Sequence, residues 1–254
     1  MDMGYSAAEV ISRFNSFDPV LIVSYAITLA CFVIYYIAAI IKGLKDQKGG
    51  MPWQTNMWNI SNDFCFVFLG FSLWWMPGLV TNHWFTHIIW VGMVLWFAAE
   101  FITHFQTMKW DLHEIFPHAK SKRNAVICYI AVQVGVVGLY YWLWYSINDS
   151  LVQIMIASTV VGCTLFVPEL LAVRGSTKGI SAWSLWSVLV AQIAWWLVCL
   201  PSMSSDFNNV FTYFFGICAC GFGTMSLVRF YQLRSSEKDS KGTESADASD
   251  AGSK

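Results

Sequence analysis

Charged side chains are scarce in this chain: 12% of its 254 residues are Asp, Glu, Lys or Arg, while 56% are hydrophobic. An ordinary soluble domain carries about 25% charge, so that class is excluded. A net charge of −1, with basic residues spread over several connections, excludes a dedicated nucleic-acid face. Several chemical signatures are missing too. There is no glycine-rich phosphate loop, Cys-x-x-Cys, His-Glu-x-x-His, serine elbow or paired-aspartate motif for a magnesium-bound diphosphate. Nothing in the sequence therefore calls for a metal or a cofactor. No short apolar leader precedes a small-residue cleavage site, so no secretory signal peptide is expected. The seven cysteines (31, 65, 128, 163, 199, 218 and 220) all fall in apolar runs, the pattern of small packing residues and not of a disulfide framework.

What is present is a series of long apolar runs. Seven approach the roughly 20 residues needed to cross a bilayer: 20–41, 57–76, 85–104, 125–147, 151–173, 182–200 and 210–228. The fold class expected is all-α, a polytopic membrane protein of seven transmembrane helices. Lys42, Lys45 and Lys48 follow the first run; Lys109, Lys120, Lys122 and Arg123 follow the third. Arg174 and Lys178 follow the fifth, and Arg229, Arg234, Lys238, Lys241 and Lys254 follow or end the seventh. Of the fifteen basic residues only Arg13 lies on the other side. The positive-inside rule then predicts an N-terminus outside or in the lumen and a cytosolic C-terminus. Residues 1–234 read as one seven-helix membrane domain, and the Ser/Asp/Gly-rich stretch 235–254 as a disordered cytosolic tail.

Within the apolar runs a few polar residues stand out. Asn56, Asn59 and Asp63 recur at spacings of three and four, one face of a helix. Placing an ionised side chain in lipid costs about 2.5–3.5 kcal/mol or more, so such a residue faces a cavity or a partner. With the span starting at Met57, Asp63 is expected about 9–10 Å deep. Glu100 is flanked by Trp96-Phe97-Ala98-Ala99 and Phe101-Ile102, and His104 lies one turn on, as its partner or as the end of the span. Glu169 follows Pro168 near Arg174 and Lys178, where an interfacial ion pair is the plainer reading. The topology puts all three carboxylates in the cytosolic half. Span one reads as scaffold, and His83 and His87 as surface residues. Most aromatics cluster at the lumenal ends as an interfacial belt, Trp195 and Trp196 among them. Trp58, Trp90, Trp96, Trp183 and Trp186 remain to line an interior. Aligning Gly50-Met51 with Gly179-Ile180 sets Asp63 opposite Gln192, a sign of a three-plus-one-plus-three repeat.

A carboxylic acid kept protonated by desolvation can act as a proton donor to an oily substrate, and aromatic faces can stabilise a cation. Asn59-Ile60-x-x-Asp63 after Gly50-Met51, and Arg174-Gly-Ser-Thr-Lys-Gly-Ile-Ser181 with Leu185-Trp186 after it, resemble motifs of a known family. These are the integral-membrane terpene cyclases of fungal meroterpenoid and indole-diterpene pathways. The resemblance implies metal-free protonation of a terminal epoxide or alkene on a prenylated aromatic or polyketide, followed by a cation cascade. It also implies a lipophilic substrate supplied by an upstream prenyltransferase and epoxidase, and in a eukaryote the endoplasmic reticulum. Asp63 stands where the family has a glutamate. The family's second acid, in the last helix, has no counterpart among Cys218, Ala219, Cys220 and Gly221. Asp63, Glu100 and Glu169 are the catalytic candidates, and Asn59, Asn56, Trp58, Trp96, Trp186 and Gln192 the substrate-binding ones. A rival reading comes from Pro168-Glu169 and the same Arg-Gly-Ser-Thr segment, which are also similar to proline-glutamine-loop and SWEET-type small-solute carriers. The first half, however, lacks a Pro-Gln pair.

Overall fold

The computed structural model describes residues 5–71, 83–149 and 151–251. Among them every regular element is helical. Helix α1 (Ala7–Asn15) is short and amphipathic; its N-cap Ser6 accepts from the Glu9 N–H at 3.2 Å. Asp18 caps α2 (Pro19–Asp46), with proline in the first turn, where the missing N–H costs nothing. Helix α3 (Trp53–Phe64) starts directly after Pro52 and loosens into a π-helical segment, Cys65–Phe71. Then follow α4 (Trp84–Trp110), α5 (Lys122–Ile147) and α6 (Gln153–Leu165). Helix α6 breaks at Phe166 before Pro168 and continues as α7 (Val167–Arg174), which Gly175 ends in the left-handed conformation. Helix α8 (Ala182–Ala194), capped by Ser181, also passes into a π-helical segment, Trp195–Cys199. The last helix, α9, runs Val210–Ala251.

A shift of 129 residues relates the two halves. It carries Gly50 to Gly179, the first residue of α3 (Trp53) to the first of α8 (Ala182), and Asp63 to Gln192. Both of these helices turn π-helical at nearly the same step, after Phe64 and after Ala194. The packing follows the same relation. Helix α2 packs on α4 as α6 does on α9, and α3 on α4 as α8 does on α9. The halves then cross over, α2 against α8 and α3 against α6, while α5 stands apart from the repeat and packs on α3. The three-plus-one-plus-three arrangement is thus present in the backbone.

Among the described residues, six helices are long and apolar enough to cross a membrane: Pro19–Asp46, Trp84–Trp110, Lys122–Ile147, Gln153–Arg174, Ala182–Met203 and Val210–Lys238. This is a multi-pass membrane protein by that measure. The expected second span, 57–76, is described only through Phe71, and the remainder, with Trp74 and Trp75, lies outside the described residues. Because α3 begins at Trp53 and not at Met57, Asp63 sits ten residues in, about 15 Å from the helix start. Helix α9 runs on as helix through Ala251, into the stretch expected from composition to be a tail. Its Glu237 accepts from the Thr177 N–H at 2.7 Å and the Thr177 hydroxyl at 2.8 Å.

Among the described residues, both ends of the bundle carry contacts that close it. At the end carrying the basic residues, Arg174 bonds Asp111 (2.8 Å) and the Gly49 carbonyl (2.9 Å), and the Gly49 N–H donates to Asp111 at 2.8 Å. The two repeat-related loops touch here so closely that a Cβ on Gly179 (φ +83°) would lie 2.6 Å from the Gly49 carbonyl oxygen. At the opposite end α1 lies across the helices. Phe14 stacks on Phe85, both rings meet Tyr25, and Tyr25 meets Trp195. Trp195 and Trp196 are therefore buried core residues and not members of an interfacial belt, because the π-helical turn swings them inward.

Candidate functional site

The centre of the bundle holds two carboxyl groups. Asp63 on α3 and Glu100 on α4 are 3% and 1% exposed, and their side chains lie within hydrogen-bonding reach of each other. Each has one oxygen supplied by a neutral donor. The Asn62 amide donates to Asp63 Oδ1 at 2.7 Å, and the Tyr36 hydroxyl donates to Glu100 Oε1 at 2.5 Å. The other oxygens, Asp63 Oδ2 and Glu100 Oε2, are buried with no donor. Two ionised carboxylates cannot satisfy one another, whereas one proton between them can. No Lys, Arg or His lines the same cavity. The arrangement is a carboxylic acid dyad that holds a proton by geometry.

An outer ring of hydrogen bonds fixes these donors. Tyr140 on α5 donates to Asn62 Oδ1, and the Asn59 amide reaches the Tyr36 hydroxyl at 3.2 Å and Cys163 Sγ at 3.4 Å. The dyad thus draws on α2, α3, α4, α5 and α6. The cavity it faces is about 40 Å³, enough for two or three waters by the roughly 10–15 Å³ each requires. Its walls include Tyr25, Phe32, Trp96 and Trp195, with Thr28 and Thr159 as further polar groups.

Of the residues expected from sequence, Asp63, Glu100, Asn59 and Trp96 line this cavity together. Asn56 does not: it accepts from Thr103 at 2.9 Å and donates to Thr107 at 3.2 Å, clamping α3 to α4 below the dyad. Trp58 stands behind the cavity, edge-on to Tyr140 and bonded to Ser158 at 2.8 Å. Gln192 is buried but donates to the Val160 carbonyl and to Thr164 at 3.2 Å, tying α8 to α6. Trp186 is 48% exposed on the outer face of α8, near Tyr231. Glu169 is exposed and lines a different cavity at the basic end, with Gln54, Asp111, Glu114 and Arg174. His104 pairs with Tyr129 (2.8 Å) inside the bundle and neither bonds Glu100 nor ends the span.

Sequence reasoning missed Tyr36, Asn62 and Tyr140. Helix α2 had read as scaffold, yet it supplies Tyr36 and the cavity residues Tyr25, Thr28 and Phe32. The available signal was the Tyr35-Tyr36 pair in the middle of an apolar helix, where a buried hydroxyl needs a partner. No protein-family model matches the chain, and no curated protein or solved structure is significantly similar to it.

Proposed function

We propose that this protein is a membrane terpene cyclase, or a related epoxide-opening isomerase, and that the Asp63–Glu100 dyad is its acid. The observation that carries the reading is the pair of buried, donorless carboxyl oxygens on two residues of one aromatic-walled cavity. The dyad proton passes to the oxygen of a terminal epoxide, the C–O bond breaks toward that oxygen, and a tertiary carbocation remains. An alkene of the same chain attacks the cation, forming a ring bond and moving the charge along. Trp96, Phe32 and Trp195 present ring faces that stabilise it. At the end a C–H proton returns to the dyad carboxylate, and the acid is restored without metal or cofactor. Glu100 takes the place of the acid that the last helix lacks; Cys218 is on α9 and does not line this cavity. A guest larger than a few waters requires the cavity to widen.

Purified protein in detergent, incubated with an epoxidised prenyl-aromatic, should yield a cyclised or isomerised product by mass spectrometry and NMR. A rival reading, a small-solute carrier, draws on the crossed 129-residue repeat and the closure at both ends. Alternating access in repeat-built carriers works through such paired closures. Pure protein that is inert toward prenyl epoxides, alongside vesicles that take up a labelled small solute, would replace the cyclase by the carrier.

A further inference from the structure

The surroundings of the dyad cavity are of unequal quality. Toward the basic end lies the Arg174–Asp111–Gly49 network, and toward the opposite end the Phe14–Phe85–Tyr25–Trp195 aromatic stack. Every polar residue lining the cavity is buried: Thr28, Tyr36, Asn59, Asn62, Asp63, Glu100 and Thr159. The lining residues that reach the outer surface are all apolar, namely Leu29 and Phe32 on α2, Trp96 on α4 and Ile156 on α6. Phe32 and Trp96 meet edge-on across the α2–α4 seam, ring centroids 6.1 Å apart at 62°.

Phe32 is at the middle of α2 and Trp96 close to the middle of α4, so this seam lies at mid-span. The surface around it is apolar as well: Ile27, Val33 and Ile34 on α2 and Val91 and Leu95 on α4 are exposed. Between the dyad and the hydrocarbon there is thus one layer of side chains, whereas toward either aqueous end there are several, including buried ion pairs.

We propose that the dyad exchanges its guest sideways with the bilayer, through a gate formed by Phe32 and Trp96. Opening requires rotamer changes of two rings and no broken hydrogen bond. An aqueous entry would have to open the Arg174 network or lift α1. The gate selects a molecule dissolved in hydrocarbon, and the buried hydroxyl, amide and carboxyl groups select an oxygen-bearing end on it. The identity of that guest as a prenyl epoxide rests on the cyclase reading; the route does not.

Carbodiimides test the route without any turnover, because they react with protonated carboxylic acids. Full-length protein in sealed vesicles is treated with dicyclohexylcarbodiimide or with a water-soluble carbodiimide on both faces, and labels are mapped by mass spectrometry. The lipid-soluble reagent should modify Asp63 or Glu100. The water-soluble one should modify exposed Glu169 and leave the dyad untouched. Trp96→Ala and Phe32→Ala should each speed dyad labelling by about threefold or more, since a thinner gate is open more of the time. Dyad labelling by the water-soluble reagent at a similar rate, or by neither reagent, overturns the proposal. So do unchanged rates in gate variants that elute as monodisperse folded protein; if those variants do not fold, the contrast between the two reagents decides alone. Selective lipid-side labelling of a protein inert toward prenyl epoxides keeps the gate and removes the cyclase. Turnover without that selectivity does the reverse.

Discussion

Two clusters of carboxylates among the described residues are treated differently. At the basic end, Asp111 has Arg174 at 2.8 Å and Lys48 at 3.9 Å, and Glu114 pairs with Lys48 and, at 3.6 Å, with Arg174. Burial pushes Asp111 above the usual carboxylate range against the pull of Arg174. In the less buried Glu114, the Lys48 contact and the Arg174 charge outweigh burial and hold it below. These groups are spent on each other and on the Gly49 backbone, so they fasten the two halves of the repeat. At mid-span, Asp63 and Glu100 have only amides and hydroxyls around them and a vacancy for one proton between them. A carboxylate with a cation holds structure; in the function proposed above, the mid-span pair without one supplies a proton.

The contrast predicts opposite consequences for similar substitutions. Asp63→Asn and Glu100→Gln should each cut product formation by about 100-fold or more, the usual worth of a positioned acid. Both should leave the yield of folded protein near wild type, because an amide replaces an acid that need not be charged. Asp63→Glu should keep part of the activity. Equal turnover by Asp63→Asn would show that the proton comes from elsewhere. Arg174→Met should act the other way round. It leaves Asp111 buried with its closest cation gone, a loss of about 3–5 kcal/mol, read as a lower melting temperature in detergent. An unchanged melting temperature would mean that Lys48 alone satisfies Asp111. Tyr36→Phe falls between: the dyad loses one donor of two, and turnover should drop by about tenfold, the equivalent of about 1.4 kcal/mol, with melting nearly unaffected.

The sequence disclosed the dyad but not its surroundings. Asp63 and Glu100 are conspicuous because an acid inside an apolar run has no local excuse, and each must find a partner in another helix. Tyr36, Asn62 and Tyr140 carry no such mark, since tyrosine and asparagine are tolerated at many places in membrane helices. Their roles depend on how five helices are rotated against each other, which local spacing does not encode. Trp186 illustrates the same limit. Helix α8 packs extensively on α2 and buries the small residues Ser184, Ser187 and Ala191, while its large Trp183 and Trp186 are exposed. Small residues at a membrane helix interface are the rule, and reading that stripe first would have placed both tryptophans outside. The repeat was visible at Gly50 and Gly179 because neither position leaves room for a Cβ: Gly50 lies against the Ala39 carbonyl of α2, and Gly179 against the Gly49 carbonyl of the repeat-related loop.

A third location, with a single buried carboxylate, sharpens the comparison and gives the smallest predicted effect. Asp149, fully buried beyond α5, has no cation, but it accepts from the Tyr5 hydroxyl at 2.6 Å and the Met155 N–H at 2.8 Å. Burial raises its pKa to about 6, against the pull of these donors. An acid whose folded pKa lies above its unfolded value binds its proton more tightly when folded. The folded state is therefore favoured progressively as pH falls through 6 toward the unfolded value of 3.8, and the advantage is lost as pH rises through 6. Between pH 7 and pH 5 this amounts to about 1 kcal/mol. Asp149→Asn removes the titration but leaves one of the two donors unmatched, so it should melt lower at neutral pH. Its deficit relative to wild type should widen as the pH is lowered to 5, because only the wild type gains a proton at this position. Every other titratable group is common to both proteins and cancels in the difference. A deficit constant across that range would mean that Asp149 is ionised throughout, held so by its hydrogen-bond donors.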